Sequence, residues 1–133
     1  MIRRGATVLK VLIVDDSLAI QRSLGRLLGA VVGVELVGCA EEVAMARRLI
    51  DATRPDVVVL DANLLDGEPA IDVLHHVLLH HPRTQVIVLS NIATPEIRRV
   101  YLRAGAVVYF DKASEFMQTR DWIAARAAGR IGP

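Results

Sequence analysis

Acidic, hydroxyl and amine side chains follow four of the short apolar segments of this 133-residue chain. Asp15 and Asp16 follow the first of these segments, Asp61 the third, Ser90 the fourth and Lys112 the fifth. Each has an ordinary explanation when taken alone: Asp16 or its neighbour Ser17 as a helix cap, Asp61 or Ser90 as a turn residue, Lys112 as a solvated charge. Together they are complementary in type, which isolated caps and turns do not explain.

The chemistry that these residue types favour involves a divalent cation and a phosphoryl group. Clustered carboxylates repel one another unless a cation lies between them, and hard oxygen ligands suit Mg²⁺. Such an ion can offset the charge that develops in phosphoryl transfer. A carboxylate can also act as the nucleophile and form an acyl phosphate, whose oxygens a lysine and a hydroxyl can hold.

The segments that carry these residues alternate with segments of helical periodicity. The apolar, β-branched segments are 8–14, 34–39, 57–60, 85–89 and 106–110. Apolar spacing at Ile20, Leu24, Leu27 and Leu28, and again at Ile97, Val100, Tyr101 and Ala104, is typical of amphipathic helices. Alternating βα units predict a parallel sheet covered by helices on both faces, with ligands bound at the carboxyl ends of the strands.

Composition limits the function classes. The chain has 16 Lys+Arg and 15 Asp+Glu, so bulk electrostatics give no reason to expect binding to nucleic acid or to an anionic membrane. One cysteine excludes an intrachain disulfide, and no apolar run is long enough to span a bilayer. We therefore expect a cytoplasmic protein with a short arm over residues 1–7, one domain over 8–128, and a flexible tail or linker over 129–133.

These residues carry a resemblance to the receiver domain of bacterial two-component response regulators, over roughly residues 8–128. The acidic pair, Asp61, the Ser90 hydroxyl and Lys112 occur in that family's order and spacing. Tyr109 stands at its aromatic switch position, and residues 61–67 resemble the loop after its phosphoacceptor. The resemblance implies the flavodoxin-like (βα)5 fold, with a five-stranded parallel sheet in the order 2-1-3-4-5.

The resemblance also implies a mechanism. Asp61 would accept a phosphoryl group from a sensor histidine kinase or a histidine phosphotransfer protein, so the chain would be a phosphoacceptor rather than an enzyme. Asp16, Asp61 and the backbone carbonyl of Asn63 would bind Mg²⁺, with Asp15 acting through a metal-bound water. Ser90 and Lys112 would contact the phosphoryl oxygens. After phosphorylation, Ser90 would move towards the phosphoryl group, and the Tyr109 ring would turn from an exposed to a buried position. These movements would alter the surface formed by the fourth helix, the fifth strand and the fifth helix.

A downstream protein or a second copy of the chain would bind that surface, which carries Glu96, Arg98, Arg99, Arg103 and Trp122. Two positions depart from the family pattern: Leu65 and Ala113 stand where the family often has proline. For the Lys112–Ala113 peptide we expect the cis form, because the loop must direct the Lys112 amine at Asp61.

Other interpretations remain open. The chain could be the receiver half of a transcription regulator whose DNA-binding domain is absent from this chain, since nothing here resembles a DNA reader. A degenerate receiver that only scaffolds partners would lack one of the acids or the lysine, and this chain retains them all. A phosphatase with an aspartate nucleophile would show Asp-x-Asp after the first strand, where this chain has two adjacent acids. A flavin-binding protein of the same fold is disfavoured because the acidic loop at residues 15–18 would repel the flavin phosphate. His76 and His80 are spaced to share a metal, but a polar helix end is the simpler interpretation, because no carboxylate or cysteine completes a site.

Overall fold

Five strands and five helices alternate along the chain in a computed structural model, which describes residues 8–64 and 67–131, the last two by backbone only. The strands are β1 (Leu9–Val14), β2 (Val34–Ala40), β3 (Val57–Leu60), β4 (Gln85–Ser90) and β5 (Val108–Asp111). The helices are α1 (Leu18–Gly29), α2 (Val43–Thr53), α3 (Ile71–His80), α4 (Pro95–Ala104) and α5 (Phe116–Ile131). The expected arm at 1–7 lies outside the described residues.

All strands are parallel and pair in the order β2-β1-β3-β4-β5, which confirms the predicted fold. The register aligns Val14 with Leu60 and Leu60 with Val88, so the carboxyl ends of the three central strands lie at one edge. Ser90 pairs with Asp111 on the neighbouring strand, so the sequence that follows both residues reaches the same edge. Strand register alone therefore gathers the chemistry-bearing residues.

The core forms two layers, one on each face of the sheet. Residues of α2, α3 and α4 pack on one face and include Val43, Ile50, Leu74 and Tyr101. Residues of α1 and α5 pack on the other face and include Leu24, Leu28, Ile123 and Ala127. Strands that are covered on both faces explain why β1 and β3 read as apolar runs instead of alternating patterns.

One expectation from periodicity is wrong in detail. Val100 is 49% exposed, because α4 turns Ile97, Tyr101 and Ala104 inward and leaves the Val100 side chain beside that face. Helix α5 continues to Ile131, three residues beyond the expected domain boundary, and residues 132–133 lie outside the described part of the chain. The turn between α4 and β5 requires Gly105, whose φ of 120° is rare for other residues.

Candidate functional site

Three carboxylates meet at the carboxyl edge of the sheet. Asp15 directly follows β1 and Asp61 directly follows β3, where the backbone N–H of Asp61 donates to the carbonyl oxygen of Val14 at 2.9 Å. Carboxylate oxygens of Asp15, Asp16 and Asp61 all lie within 4.8 Å of one another. Asp15 and Asp61 are buried, with 3% and 5% of their surface exposed, whereas Asp16 is half-buried.

Local turns orient the two buried carboxylates in the same way. The Oδ1 of Asp15 accepts a hydrogen bond from the Ser17 backbone N–H at 2.8 Å, and the Oδ1 of Asp61 accepts one from the Asn63 N–H at 2.9 Å. These are Asx turns, so the ordinary explanation of Asp61 as a turn residue is correct but incomplete. Each turn leaves the Oδ2 atom to face the centre of the site.

Lys112 fills the space between those two oxygens. Its Nζ lies 2.8 Å from the Oδ2 of Asp15 and 3.1 Å from the Oδ2 of Asp61, and its side chain is 9% exposed. The expected cis peptide at Lys112–Ala113 is wrong, since the described residues contain no cis peptide bond. The reason is local: the Lys112 N–H donates to the Ser90 carbonyl at 2.9 Å, and this backbone contact already directs the side chain at Asp61.

Three negative charges against one positive charge leave the site electrostatically unbalanced. Burial raises the pKa of Asp15; the hydrogen bonds from Lys112 and from the Ser17 N–H oppose that rise, and the charge of Asp61 adds to it. For Lys112, burial lowers the pKa, but the hydrogen bond to Asp15 and the charge of Asp61 outweigh it and raise the pKa. The ammonium is therefore charged at neutral pH, while the carboxyl of Asp15 is less acidic than usual.

The raised pKa of Asp15 predicts the sign of a stability change. The folded state binds a proton at this carboxyl at a higher pH than the unfolded chain, so stability falls as the pH rises through that interval and the ionised group is a net cost at pH 7. We expect Asp15→Asn to raise the urea midpoint at pH 7 in EDTA, with the gain disappearing in acid. The exposed Asp121 serves as a control, because Asp121→Asn should change nothing. A lower midpoint for Asp15→Asn at pH 7 would contradict this account.

Ser90 and Tyr109 lie together beside the site. Ser90 is fully buried and its Oγ accepts a hydrogen bond from the Ile92 N–H at 3.2 Å. The Tyr109 hydroxyl donates to the Ile92 carbonyl oxygen, and its ring is buried, with 3% exposed. Burial raises the pKa of Tyr109, and a hydrogen bond with Ser90 opposes that rise. The ring occupies the inward position of the expected switch, and the Ser90 and Tyr109 side chains both bond to the backbone of Ile92.

Arg98 and Glu115 hold this region in a way that sequence reasoning missed. The Arg98 guanidinium donates to the carbonyl oxygens of Ala93 and Tyr109 at 3.1 and 3.0 Å and lies 5.5 Å from the centre of the Tyr109 ring. Glu115 lies 3.5 Å from Arg98 and accepts from the Asp111 N–H at 2.8 Å. We expected Arg98 on an open surface, but it covers Tyr109. No spacing rule connects residues 98, 109 and 115, so the sequence held no signal for this contact.

The residues at this edge suit a hard divalent cation. Ser17, not Asp16, caps α1, with its side chain accepting from the Ile20 N–H at 3.2 Å. Among the described residues, Asp16 makes no hydrogen bond or ion pair, so its carboxylate is available as a ligand beside Asp61. Asn63, whose carbonyl is the expected third ligand, is exposed next to them. Oxygen donors with excess negative charge fit Mg²⁺, and Lys112 neutralises only part of that charge.

Comparison with known proteins agrees with this geometry. Residues 11–124 match the family described as response regulator receiver domain. The chain is 34% identical to the DNA-binding transcriptional activator DevR/DosR of Mycobacterium tuberculosis over 92% of its own length and 56% of that protein. It is 36% identical to a protein-glutamate methylesterase/protein-glutamine glutaminase of Bdellovibrio bacteriovorus, over 82% of this chain and 31% of that protein. It thus spans about half of the first relative and a third of the second.

Solved structures agree as well. The receiver domain of the response regulator NarL from Mycobacterium tuberculosis superposes with a TM-score of 0.81 at 28% identity, covering 92% of this chain and 98% of that one. A LuxR-family response regulator from Aurantimonas superposes with a TM-score of 0.82 at 26% identity, covering 92% and 87%. Among the described residues no helix has the length and hydrophobicity to cross a membrane. The chain belongs to the receiver domains of two-component response regulators and acts in signal transduction.

Proposed function

We propose that Asp61 accepts a phosphoryl group, in the cytoplasm, from a phosphohistidine on a sensor histidine kinase or a histidine phosphotransfer protein. One observation carries the proposal: Lys112 bridges Asp15 and Asp61 at the sheet edge, with the Asp16 carboxylate within 4.8 Å of theirs. This arrangement provides a nucleophile, a cation for the transferred oxygens and an acidic pair for a metal. We propose that the chain assists its own phosphorylation and hydrolysis and is not an enzyme for a separate substrate.

In the proposed reaction a carboxylate oxygen of Asp61 attacks the phosphorus atom. The P–N bond of the donor breaks, the leaving nitrogen keeps the bonding electron pair, and an acyl phosphate forms on Asp61. Lys112 changes partners, from the Asp61 carboxylate to a phosphoryl oxygen, and the Ser90 hydroxyl donates to another. Asp16, Asp61 and the Asn63 carbonyl would hold Mg²⁺, with Asp15 contributing through a bound water; this ion would offset the negative charge of the transfer.

The test is phosphorylation by acetyl phosphate, followed by intact-protein mass spectrometry. We expect the addition of one phosphoryl group in the presence of Mg²⁺, none in EDTA, and none in Asp61→Asn. Asp121→Asn makes the same chemical change at an exposed acid of α5 and should be labelled like the wild type. Equal labelling of Asp61→Asn and the wild type would refute the proposal.

We propose that the output surface is formed by α4, β5 and α5. Its exposed polar residues on α4 are Glu96, Arg99 and Arg103, and the exposed Val100 adds an apolar contact for a downstream protein or a second copy of the chain. Trp122 contributes less than expected, because it is half-buried against the α1–α5 side of the core. Ser90, Tyr109 and the Arg98 that covers Tyr109 connect this surface to Asp61.

Hydrogen exchange tests that connection without knowledge of the partner. We expect beryllofluoride with Mg²⁺, which mimics the phosphoryl group, to change amide exchange across residues 91–111 of the wild type. Ser90→Ala removes the hydroxyl that shares Ile92 with Tyr109 as a hydrogen-bond partner and should reduce this change to less than half. Ser23→Ala, at an exposed position on α1, should behave like the wild type. An undiminished response in both Ser90→Ala and Tyr109→Ala would exclude this route.

A second candidate is the receiver half of a transcription regulator. The similarity to DevR/DosR favours it, because that relative is named as a DNA-binding activator and this chain aligns with 56% of it. The similarity to methylesterases points to a different output. In either case this chain itself contacts protein rather than DNA. The reading frame around residues 1–133 distinguishes these candidates, since a helix-turn-helix segment or a methylesterase domain would be encoded beside them.

A further inference from the structure

Two histidines and an aspartate converge at the sheet edge opposite to the acidic site. Asp51 lies in the last turn of α2, His76 lies on α3, and His81 follows the end of α3. The Nε2 atoms of His76 and His81 lie 2.8 and 2.7 Å from the same oxygen of Asp51, its Oδ1. The expectation that no carboxylate completes a histidine site is therefore wrong, because α2 supplies one from 25 residues away in sequence.

We propose that Asp51, His76 and His81 form a binding site for Zn²⁺ or a similar transition-metal ion. Imidazole nitrogen with a single carboxylate is a ligand set that suits Zn²⁺, whereas Mg²⁺ prefers oxygen ligands alone. The three donor atoms lie within 4.8 Å of one another. Donor atoms around a tetrahedral Zn²⁺ are about 3.3 Å apart, from metal–ligand distances of about 2.0–2.2 Å. Small side-chain movements therefore reach ligand geometry.

The surroundings hold the imidazoles in place and leave the carboxylate free to adjust. The side chains of His76 and His81 are 11% and 9% exposed, whereas that of Asp51 is 55% exposed. The ring of His80 lies 4.8 Å from the ring of His76, and both border a hollow of about 360 Å³ that also contains Arg54. Water in this hollow can occupy the fourth coordination position. Packing has already fixed two of the three ligands.

A plain ion pair between aspartate and histidine is the competing explanation. Hydrogen bonds from His81 and His76 lower the pKa of Asp51, so the carboxylate is anionic and both Nε2 atoms act as donors in the absence of metal. When a metal binds, each neutral ring carries its hydrogen on Nδ1 and turns the Nε2 lone pair to the ion. An ion pair requires only one imidazole, whereas here two nearly buried imidazoles approach one carboxylate, so three donor atoms are gathered within reach of a single ion.

Binding would tie the ends of α2 and α3 together, far from Asp61. A metal that binds only the folded chain raises the midpoint of thermal unfolding as its concentration rises. We therefore expect a metal ion bound near the amino ends of β3 and β4 to stabilise the fold through contacts that do not involve Asp61.

The test is a Zn²⁺ titration of the tag-free chain by calorimetry and thermal unfolding, in excess Mg²⁺ to occupy the acidic edge. We expect one saturable site, with a loss of affinity of at least about tenfold in each of His76→Ala, His81→Ala and Asp51→Asn. His75→Ala is the matched control on α3, because His75 is exposed and outside the cluster, and it should bind like the wild type. Asp61→Asn should also retain Zn²⁺.

A spectroscopic measurement on the unmutated chain guards against variants that misfold. Co²⁺ in a tetrahedral site with nitrogen ligands gives visible absorption bands, which Zn²⁺ should abolish by competition. Absence of saturable Zn²⁺ binding, or unchanged affinity in His76→Ala and His81→Ala, would leave only an ion pair and overturn the proposal.

Discussion

Replacing Lys112 with methionine is expected to slow phosphorylation by acetyl phosphate by about 10²- to 10³-fold, the loss typical of removing one charge-stabilising donor. Methionine keeps much of the unbranched side-chain volume but removes the ammonium that lies 3.1 Å from Asp61 and 2.8 Å from Asp15. The transferred oxygens then lose their cationic partner. The two carboxylates also lose their shared counter-charge, so the site favours uptake of a proton over ionisation.

The control is the one other lysine of the chain, Lys10. Its Nζ donates to the Thr53 carbonyl oxygen at the opposite edge of the sheet. Lys10→Met removes a similar charge and a similar hydrogen bond, so it reports any general effect on folding. We expect its labelling rate to stay within about twofold of the wild type, a change far below the loss expected at residue 112. Equal rates in both variants would show that the Lys112 ammonium takes no part in the transfer.

Replacing Asp16 with asparagine is expected to weaken Mg²⁺ binding by at least about tenfold, since ligand charge sets the affinity for hard cations. Asp16 has no hydrogen bond or ion pair among the described residues, so its carboxylate is available to bind a metal at this edge. Asp15, in contrast, is held by Lys112 and the Ser17 N–H. Calorimetric titration of the purified chain with Mg²⁺ measures the change directly.

Asp111 provides a matched control for Asp16. It lies at the same edge, at the end of β5, and its Oδ1 accepts from the Ala113 N–H at 2.9 Å. Asp111→Asn makes the same change of charge outside the three-carboxylate cluster. A loss of Mg²⁺ affinity in Asp111→Asn as large as that in Asp16→Asn would mean that general electrostatics, and not ligation by Asp16, determine binding.

The sequence predicts the sheet and its edge because both depend on short-range pattern. Strands β1 and β3 are almost wholly apolar, with Lys10 as the one charged residue, which is typical of a sheet covered on both faces, and each ends directly at an acid. Once the strands are parallel, their carboxyl ends must share an edge, which brings Asp15, Asp61 and Lys112 together without further information. The strand order itself came from the resemblance to the receiver family.

Contacts between distant side chains could not be predicted in this way. The position of Arg98 over Tyr109 depends on the packing of α4 against β5, and the meeting of Asp51 with His76 depends on the packing of α2 against α3. The exposure of Val100 has a similar origin, because an apolar residue at the border of a helical stripe faces inward or outward according to its neighbours. Periodicity assigns faces only to within about one residue.

The most direct test of the central claim locates the phosphoryl group on the chain. After labelling with acetyl phosphate and Mg²⁺, borohydride reduction converts an aspartyl phosphate into homoserine, which tandem mass spectrometry assigns to one residue. The account predicts homoserine at position 61 and at no other acidic position. Homoserine at Asp15 or Asp16, or a label that resists reduction, would show that Asp61 is not the phosphoacceptor.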